Sequence, residues 1–208
     1  MSQTARAADF ASHHGKALAG GLIVFVLVVG AVLFFRANRT TGSGRAAGLL
    51  AEARVTLQQG NLDAASITLD ELVENHGNTV SGKQGRLLAA DVRYAQGQNQ
   101  EAADMYRKAL QTFGDDGIFT FAARRGLAAS LENLGSFEEA AGLYATLAET
   151  APNTQLRAEL KMSEARARSA AGQDSEALSI YEELSRLDDN PRVVQDAKIR
   201  MAEARRAS

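Results

Sequence analysis

The three histidines and the clustered carboxylates are the side chains of this sequence with the clearest potential for catalysis or metal binding. The histidines are His13, His14 and His76, and none occurs in the His-Glu-x-x-His spacing that places two zinc ligands on one helical face. Asp115-Asp116-Gly117 lacks the alternating acidic ligands and the distal glutamate of a calcium-binding loop, so it is predicted to be a turn. We therefore expect no metal site in this chain.

The carboxylate pairs do not supply a general acid and base either. Acidic residues are adjacent at 138–139, 182–183 and 188–189, and neighbouring side chains on a helix point in different directions. The chain has no cysteine, no glycine-rich phosphate loop and no nucleophile elbow, and its formal net charge is −2. We predict no catalytic residue, no cofactor, no small-molecule substrate and no nucleic-acid partner. An active site completed by a partner protein is the one enzymatic alternative, and no residue here indicates it.

An apolar segment near the N-terminus sets the context for the rest of the chain. Residues 17–35 contain no charge and no proline, and as a helix they would extend about 28 Å, close to the thickness of a bilayer's hydrocarbon core. We predict one transmembrane helix here, between a short tail at 1–16 and a flexible linker at 36–45. A cleaved signal peptide is the alternative, but its apolar region is normally shorter, and small neutral residues rather than Arg36 and Arg39 would follow it.

The charges that flank this segment leave its orientation open. Arg6 and Lys16 precede it, whereas arginines at positions 36, 39, 45 and 54 follow it. Because Lys and Arg are enriched on the cytoplasmic side, the count slightly favours a cytoplasmic C-terminal part. His13 and His14 would add partial positive charge on the other side.

From Ala46 onward the sequence repeats. Four glycines recur at spacings of 37, 38 and 37: Gly60, Gly97, Gly135 and Gly172. A small residue follows each glycine by five positions: Ala65, Ala102, Ala140 and Ala177. A large residue follows it by nine positions: Leu69, Tyr106, Tyr144 and Tyr181. This period predicts stacked pairs of antiparallel helices, in which the glycine forms the turn and the small residue lets two helices approach closely.

Composition and capping signals locate the expected helices. Ala, Leu, Glu, Arg and Gln dominate this part of the chain, and its only prolines are Pro152 and Pro191. The first helices of the four pairs are predicted at 46–59, 83–96, 118–134 and 154–171, and the second helices at 62–75, 99–113, 137–150 and 174–187. A last helix begins at Asn190-Pro191, where a polar N-cap precedes proline at the first helical position, and residues 190–208 are predicted to cap the stack.

The pattern resembles the tetratricopeptide repeat (TPR), and the third unit, LGSFEEAAGLYATLAETAP, shows it best. The matching positions are Gly135, Phe137, Ala140, Tyr144, Leu147 and Pro152. The resemblance implies an all-α protein, in which a right-handed solenoid of about four helix pairs over residues 46–189 follows the transmembrane helix. The period is three or four residues longer than the usual 34, which we assign to the segments between repeats.

In the TPR family the first helix of each repeat lines a concave groove that holds a peptide or a partner's loop. Carried over to this chain, the resemblance implies these groove positions in the third and fourth repeats: Ala122, Arg125, Ala129, Glu132, Met162 and Arg166. In the second repeat two registers are open, one with Leu88 and Val92 and the other with Leu87, Asp91 and Tyr94. Packing between helices is the alternative role for each of these residues.

The whole layout, together with the segment His14-Gly15-Lys16-Ala17-Leu18-Ala19 at the entry to the span, resembles the YfgM-like family of ancillary Sec translocon subunits. That resemblance implies a single-pass protein of the bacterial inner membrane with its repeats in the periplasm. It also implies that the partners are translocon subunits and a membrane-anchored periplasmic foldase, and that the chain takes part in handling newly exported proteins. The alternative is a TPR scaffold for another assembly, such as outer-membrane biogenesis or cell division.

Overall fold

The computed structural model describes residues 42–114, 117–187 and 190–207. Every regular element in these ranges is an α-helix. The helices are α1 (42–58), α2 (Leu62–His76), α3 (Val80–Ala95), α4 (Asn99–Phe113), α5 (Gly117–Asn133), α6 (Phe137–Glu149), α7 (Thr154–Ala170), α8 (Asp174–Leu184) and α9 (Pro191–Ala207). The predicted all-helical character and the predicted order of helices are therefore confirmed over this part of the chain.

The helices form a solenoid of antiparallel pairs. Each helix packs against the next in sequence, and first helices also contact one another where α3 meets α5 and α7 meets α9. The four predicted turn glycines all have a left-handed backbone, with φ between +76° and +78°. Because L-residues with a Cβ pay a steric cost in that region, glycine is what permits each turn between the two helices of a pair.

The repeated small and large positions form the core. All four alanines five residues after the turn glycine have no exposed surface, and the large residues four positions further on are also buried. A central cluster extends from α3 to α7, and smaller clusters lie at the two ends of the stack. The repeated positions therefore bury side chains from one end of the described stack to the other, in three neighbouring clusters.

Arg93 joins three helices beside the N-terminal cluster. Its guanidinium donates to Asp70 Oδ2 at 2.7 Å and to the Ser66 hydroxyl on α2, and to Glu101 Oε1 at 3.0 Å on α4. Its side chain is 15% exposed, so these partners satisfy a charge that has lost most of its water.

Residues 42–45 differ from the prediction. They are predicted to belong to the flexible linker, but they are helical and continue into the rest of α1. Tertiary contacts account for this, because Arg45 pairs with Glu71 at 3.4 Å and Ala46 is fully buried. The remainder of the predicted linker, the tail and the apolar segment 17–35 lie outside the described residues, as do Asp115 and Asp116. In the ranges that the structure does describe, no helix is long and apolar enough to cross a membrane.

The last helix begins as its sequence predicts. The Asn190 side chain accepts a hydrogen bond from the Val193 amide at 3.3 Å, and Pro191 occupies the first helical position. Val193 and Ala197 pack against α7 and α8 in the C-terminal cluster. This helix therefore covers the apolar end of the stack.

Candidate protein-binding groove

The first helices line two adjoining cavities, which we call the groove. The first cavity has a volume of about 400 Å³ and lies between α3, α5 and α7, with apolar walls from Tyr94, Leu156 and Leu160. The second has a volume of about 870 Å³ and lies between α7 and α9, with Met162 and Val193 among its lining residues. The two cavities share Glu159 and Ser163, so they adjoin along α7.

Tyr106 forms the floor of the first cavity. Its ring is buried, and its hydroxyl donates to Asp91 Oδ1 at 2.5 Å. A Cβ on Gly126 would overlap this ring, so the glycine permits the close approach of α5. Desolvation in the cavity raises the pKa of the Asp91 carboxyl, against the opposing effects of the Tyr106 hydrogen bond and the positive charge of Arg125. Burial raises the pKa of Tyr106 far above its ordinary value, and the negative charge of Asp91 makes the second-largest contribution.

The next repeat carries a related arrangement. The Tyr144 hydroxyl donates to Glu132 Oε2 at 3.1 Å. Arg166 binds the same carboxylate with two parallel bonds, from Nε at 2.7 Å and from Nη2 at 3.0 Å. Bidentate pairs of this kind are stronger and more directional than single contacts. Glu132 and Arg166 therefore hold α5 and α7 together, while Arg166 also lines the second cavity.

Five of the predicted groove residues line the two cavities. Ala122, Arg125 and Ala129 line the first, and Met162 and Arg166 line the second. Glu132 pairs with Arg166 beside them. That these residues bind a partner stays a prediction.

The register on α3 requires a correction. Val92 is 2% exposed and belongs to the N-terminal core cluster, against which the half-buried Leu88 also packs. Asp91 and Tyr94 line the first cavity instead. The second of the two registers left open by the sequence is therefore the one that the structure adopts for these two residues, while Leu87 packs against the central cluster.

Sequence reasoning missed the contribution of α7 to the first cavity. Leu156, Glu159 and Ser163 lie there beside their counterparts on α5, which are Ala122, Arg125 and Ala129. The sequence interval between each residue and its counterpart is the same in all three cases, and it equals the usual TPR period. That constant interval was a usable signal, because it also separates Asp91 from Arg125.

The groove offers a surface of mixed apolar and charged side chains. Among the described residues, no group of three or more His, Asp or Glu side chains is placed to hold a metal ion. Stacked helix pairs with a continuous lined groove define the class of helical repeat proteins that act as interaction scaffolds.

The chain belongs to the tetratricopeptide repeat-like domain family, whose model matches residues 9–161. Proteins of this class bind other proteins and are generally non-catalytic. A search of curated proteins found no match.

Solved structures show the same fold. A TPR protein from Parabacteroides merdae aligns with a TM-score of 0.65 at 15% identity, over 78% of this chain and 60% of that one. A P. anserina chain of nearly identical TPR-like repeats aligns with a TM-score of 0.64 at 20% identity, over 79% of this chain and 87% of that one. MamA from Desulfovibrio magneticus RS-1 aligns with a TM-score of 0.60 at 15% identity, over 78% of this chain and 96% of that one. At these identities the likeness establishes the fold alone.

Proposed function

We propose that this chain is a membrane-anchored TPR protein that docks partner proteins at the protein-export machinery of the bacterial inner membrane. The groove is the observation that carries the docking role. It joins apolar walls to isolated charges across four first helices, in a family of protein-binding scaffolds. The translocon subunits and a membrane-anchored periplasmic foldase are the partners we propose, on the basis of the resemblance in layout described above.

Modest affinity suffices for such a role. An open groove of this size is suited to micromolar binding, which corresponds to about −8 kcal/mol. Confinement of both partners to one membrane raises their effective concentration and converts a weak contact into a persistent one. The anchor and the groove therefore act together in this proposal.

The membrane location rests on residues 17–35 and on the extent of the family match. The match begins at residue 9, so it takes in the apolar segment together with the repeats. The absence of cysteine provides a direct test of the proposed periplasmic side. Ser208→Cys in cells with a permeabilised outer membrane should react with a membrane-impermeant maleimide before lysis. Reaction only after lysis would place the repeats in the cytoplasm and contradict the proposal.

Co-purification from detergent tests the partner assignment. We compare the wild-type full chain with Ala129→Arg, which fills the first cavity, and with Gly142→Arg, which adds the same side chain at an exposed position on α6 with no neighbour within 4 Å. Translocon subunits should accompany the wild type and Gly142→Arg and should be depleted from Ala129→Arg, with circular dichroism confirming that both variants are folded.

Two results would contradict the proposal. Recovery of another envelope assembly without translocon subunits would replace the export assignment by the alternative scaffold role. Equal recovery of translocon subunits with folded Ala129→Arg would show that docking does not use the groove.

A further inference from the structure

A line of alternating charges runs along the groove. It consists of Asp91 on α3, Arg125 on α5, Glu159 on α7 and Arg192 on α9. The first two intervals in this series equal the usual TPR period and the last is one position shorter, so each of these helices contributes one residue. The sign of the charge alternates from one helix to the next. All four residues have exposed surface, although the cavity partly desolvates the Asp91 carboxyl. The first three line the first cavity, and Glu159 and Arg192 line the second.

These four charges form no ion pair with any described residue, although two of them accept neutral hydrogen bonds. Asp91 accepts the Tyr106 hydroxyl, and Glu159 accepts the Gln155 amide at 3.3 Å. The other charged residues that line the cavities already have ion-pair partners, since Arg166 binds Glu132 and Asp196 pairs with Arg200 at 3.7 Å. The groove therefore presents four charges available to a ligand, in the order negative, positive, negative, positive.

We propose that the groove recognises a polypeptide segment in the extended polyproline II conformation whose basic and acidic residues alternate at every third position. This inference rests on the proposed docking function and specifies the chemistry of the docked segment. Neighbouring packed helices stand about 8–10 Å apart. One turn of polyproline II contains three residues with a rise of about 3.1 Å each, so it covers the same distance and returns every third side chain to the same face. A basic, acidic, basic, acidic series at that spacing places an opposite charge beside each of the four groove residues.

The size of the first cavity favours this narrow, extended conformation over an α-helix. A helix of 10–12 Å diameter occupies roughly 800 Å³ or more for every 10 Å of its length. The first cavity measures about 400 Å³ across its whole span from α3 to α7. An extended segment with small or aliphatic residues between its charges fits this space and covers the apolar walls.

Two labelled peptides of about ten residues test the inference. In both peptides every third position carries a charged residue, two Lys and two Glu in total, and Ser and Val stand between the charges. The alternating peptide has the order Lys, Glu, Lys, Glu, and the block peptide has the order Lys, Lys, Glu, Glu. Fluorescence anisotropy at low salt measures their binding to the full chain in lipid nanodiscs. We expect the alternating peptide to bind at least about tenfold more tightly, because the block peptide places like charges together at two positions.

The double variant Arg125→Glu/Glu159→Arg is the matched control. It keeps the net charge and changes the order along the groove to negative, negative, positive, positive, so it should reverse the preference in favour of the block peptide. A melting curve establishes that the variant is folded. If it is not, Glu159→Arg alone replaces it, and this variant should weaken the alternating peptide and strengthen binding of the block peptide.

Equal binding of the two peptides, binding of neither, or an unchanged preference in the folded variant overturns the inference. The proposed function is judged separately, by co-purification with the Ala129→Arg variant. A groove that captures translocon subunits without discriminating between the peptides refutes the charge order alone.

Discussion

At the scale of single residues, Gly126 is the position where the groove floor has least space. A Cβ there would overlap the buried Tyr106 ring, whose hydroxyl is bound to Asp91. Alanine normally stabilises a helix interior relative to glycine by about 0.5–1 kcal/mol. We expect the overlap to exceed that gain, so Gly126→Ala should lower the free energy of unfolding by about 1–3 kcal/mol in urea titrations.

Gly142 is the matched control for this substitution. It lies within α6, is exposed, and has no atom near the position of an added Cβ. Gly142→Ala should therefore stabilise the protein by about 0.5–1 kcal/mol. A stabilising effect at both positions would show that Tyr106 yields without cost and would contradict the packing described for the floor.

The groove tyrosines should also resist ionisation. Burial, followed by the Glu132 charge, raises the pKa of Tyr144, and Asp91 acts similarly on the buried Tyr106. The unfolded chain loses these protons near pH 10.0, the ordinary pKa of tyrosine, whereas the folded chain keeps them. The contribution of these tyrosines to stability should therefore be constant below that pH and decline above it.

Tyrosinate absorbance measures this effect directly. As the pH rises above 10, the absorbance of Tyr144→Phe should match that of the wild type until unfolding begins, because Tyr144 does not ionise in the folded state. A loss of absorbance in the variant before unfolding would show that the Tyr144 hydroxyl ionises in the native groove, which would contradict its assigned environment.

At the scale of elements, α9 depends on its first turn. Asn190 accepts the Val193 amide, and Val193 and Ala197 then seal the C-terminal cluster. Asn190→Ala should cost about 0.5–2 kcal/mol. Hydrogen exchange should accelerate over Pro191–Ala207 while α4 and α5 stay protected, because repeats interact mainly with their neighbours. Uniform acceleration across the stack would contradict this local role.

Local sequence signals predicted most of the helices. The turn glycines fix where each pair reverses, and Asn190-Pro191 marks the start of α9, because these residues act through their own backbone or side chain. The helical conformation of residues 42–45 was missed because their contacts, such as the Arg45 pair with Glu71, join different helices. Gly42, Ser43 and Gly44 are poor helix formers, so no local pattern could indicate that turn.

At the scale of the whole molecule, two periods coexist. The turn glycines recur at intervals three or four positions longer than the usual TPR period, whereas the groove positions Asp91, Arg125 and Glu159 recur at that usual period itself. Each groove residue therefore lies about one helical turn farther from its turn glycine than its counterpart in the preceding repeat. The groove runs obliquely across the first helices as a result.

This oblique course explains which site residues could be predicted. Arg125 and Ala129 came from the repeat that best matches the family pattern, and the structure places both in the first cavity. Val92 was misplaced because the angle between stacked first helices arises from packing, which a single sequence does not record. Glu159 and Ser163 were missed for the same reason.

Site-specific photocrosslinking in cells tests the central claim that the groove docks proteins of the export machinery. A photoreactive phenylalanine replaces Ala129 in the first cavity of the full chain, and the same residue replaces the exposed Gly142 as the control. We predict crosslinks from position 129 to a translocon subunit or to the membrane-anchored foldase, and none of these from position 142. Crosslinks to those proteins from position 142 alone, or from neither position, would contradict the account.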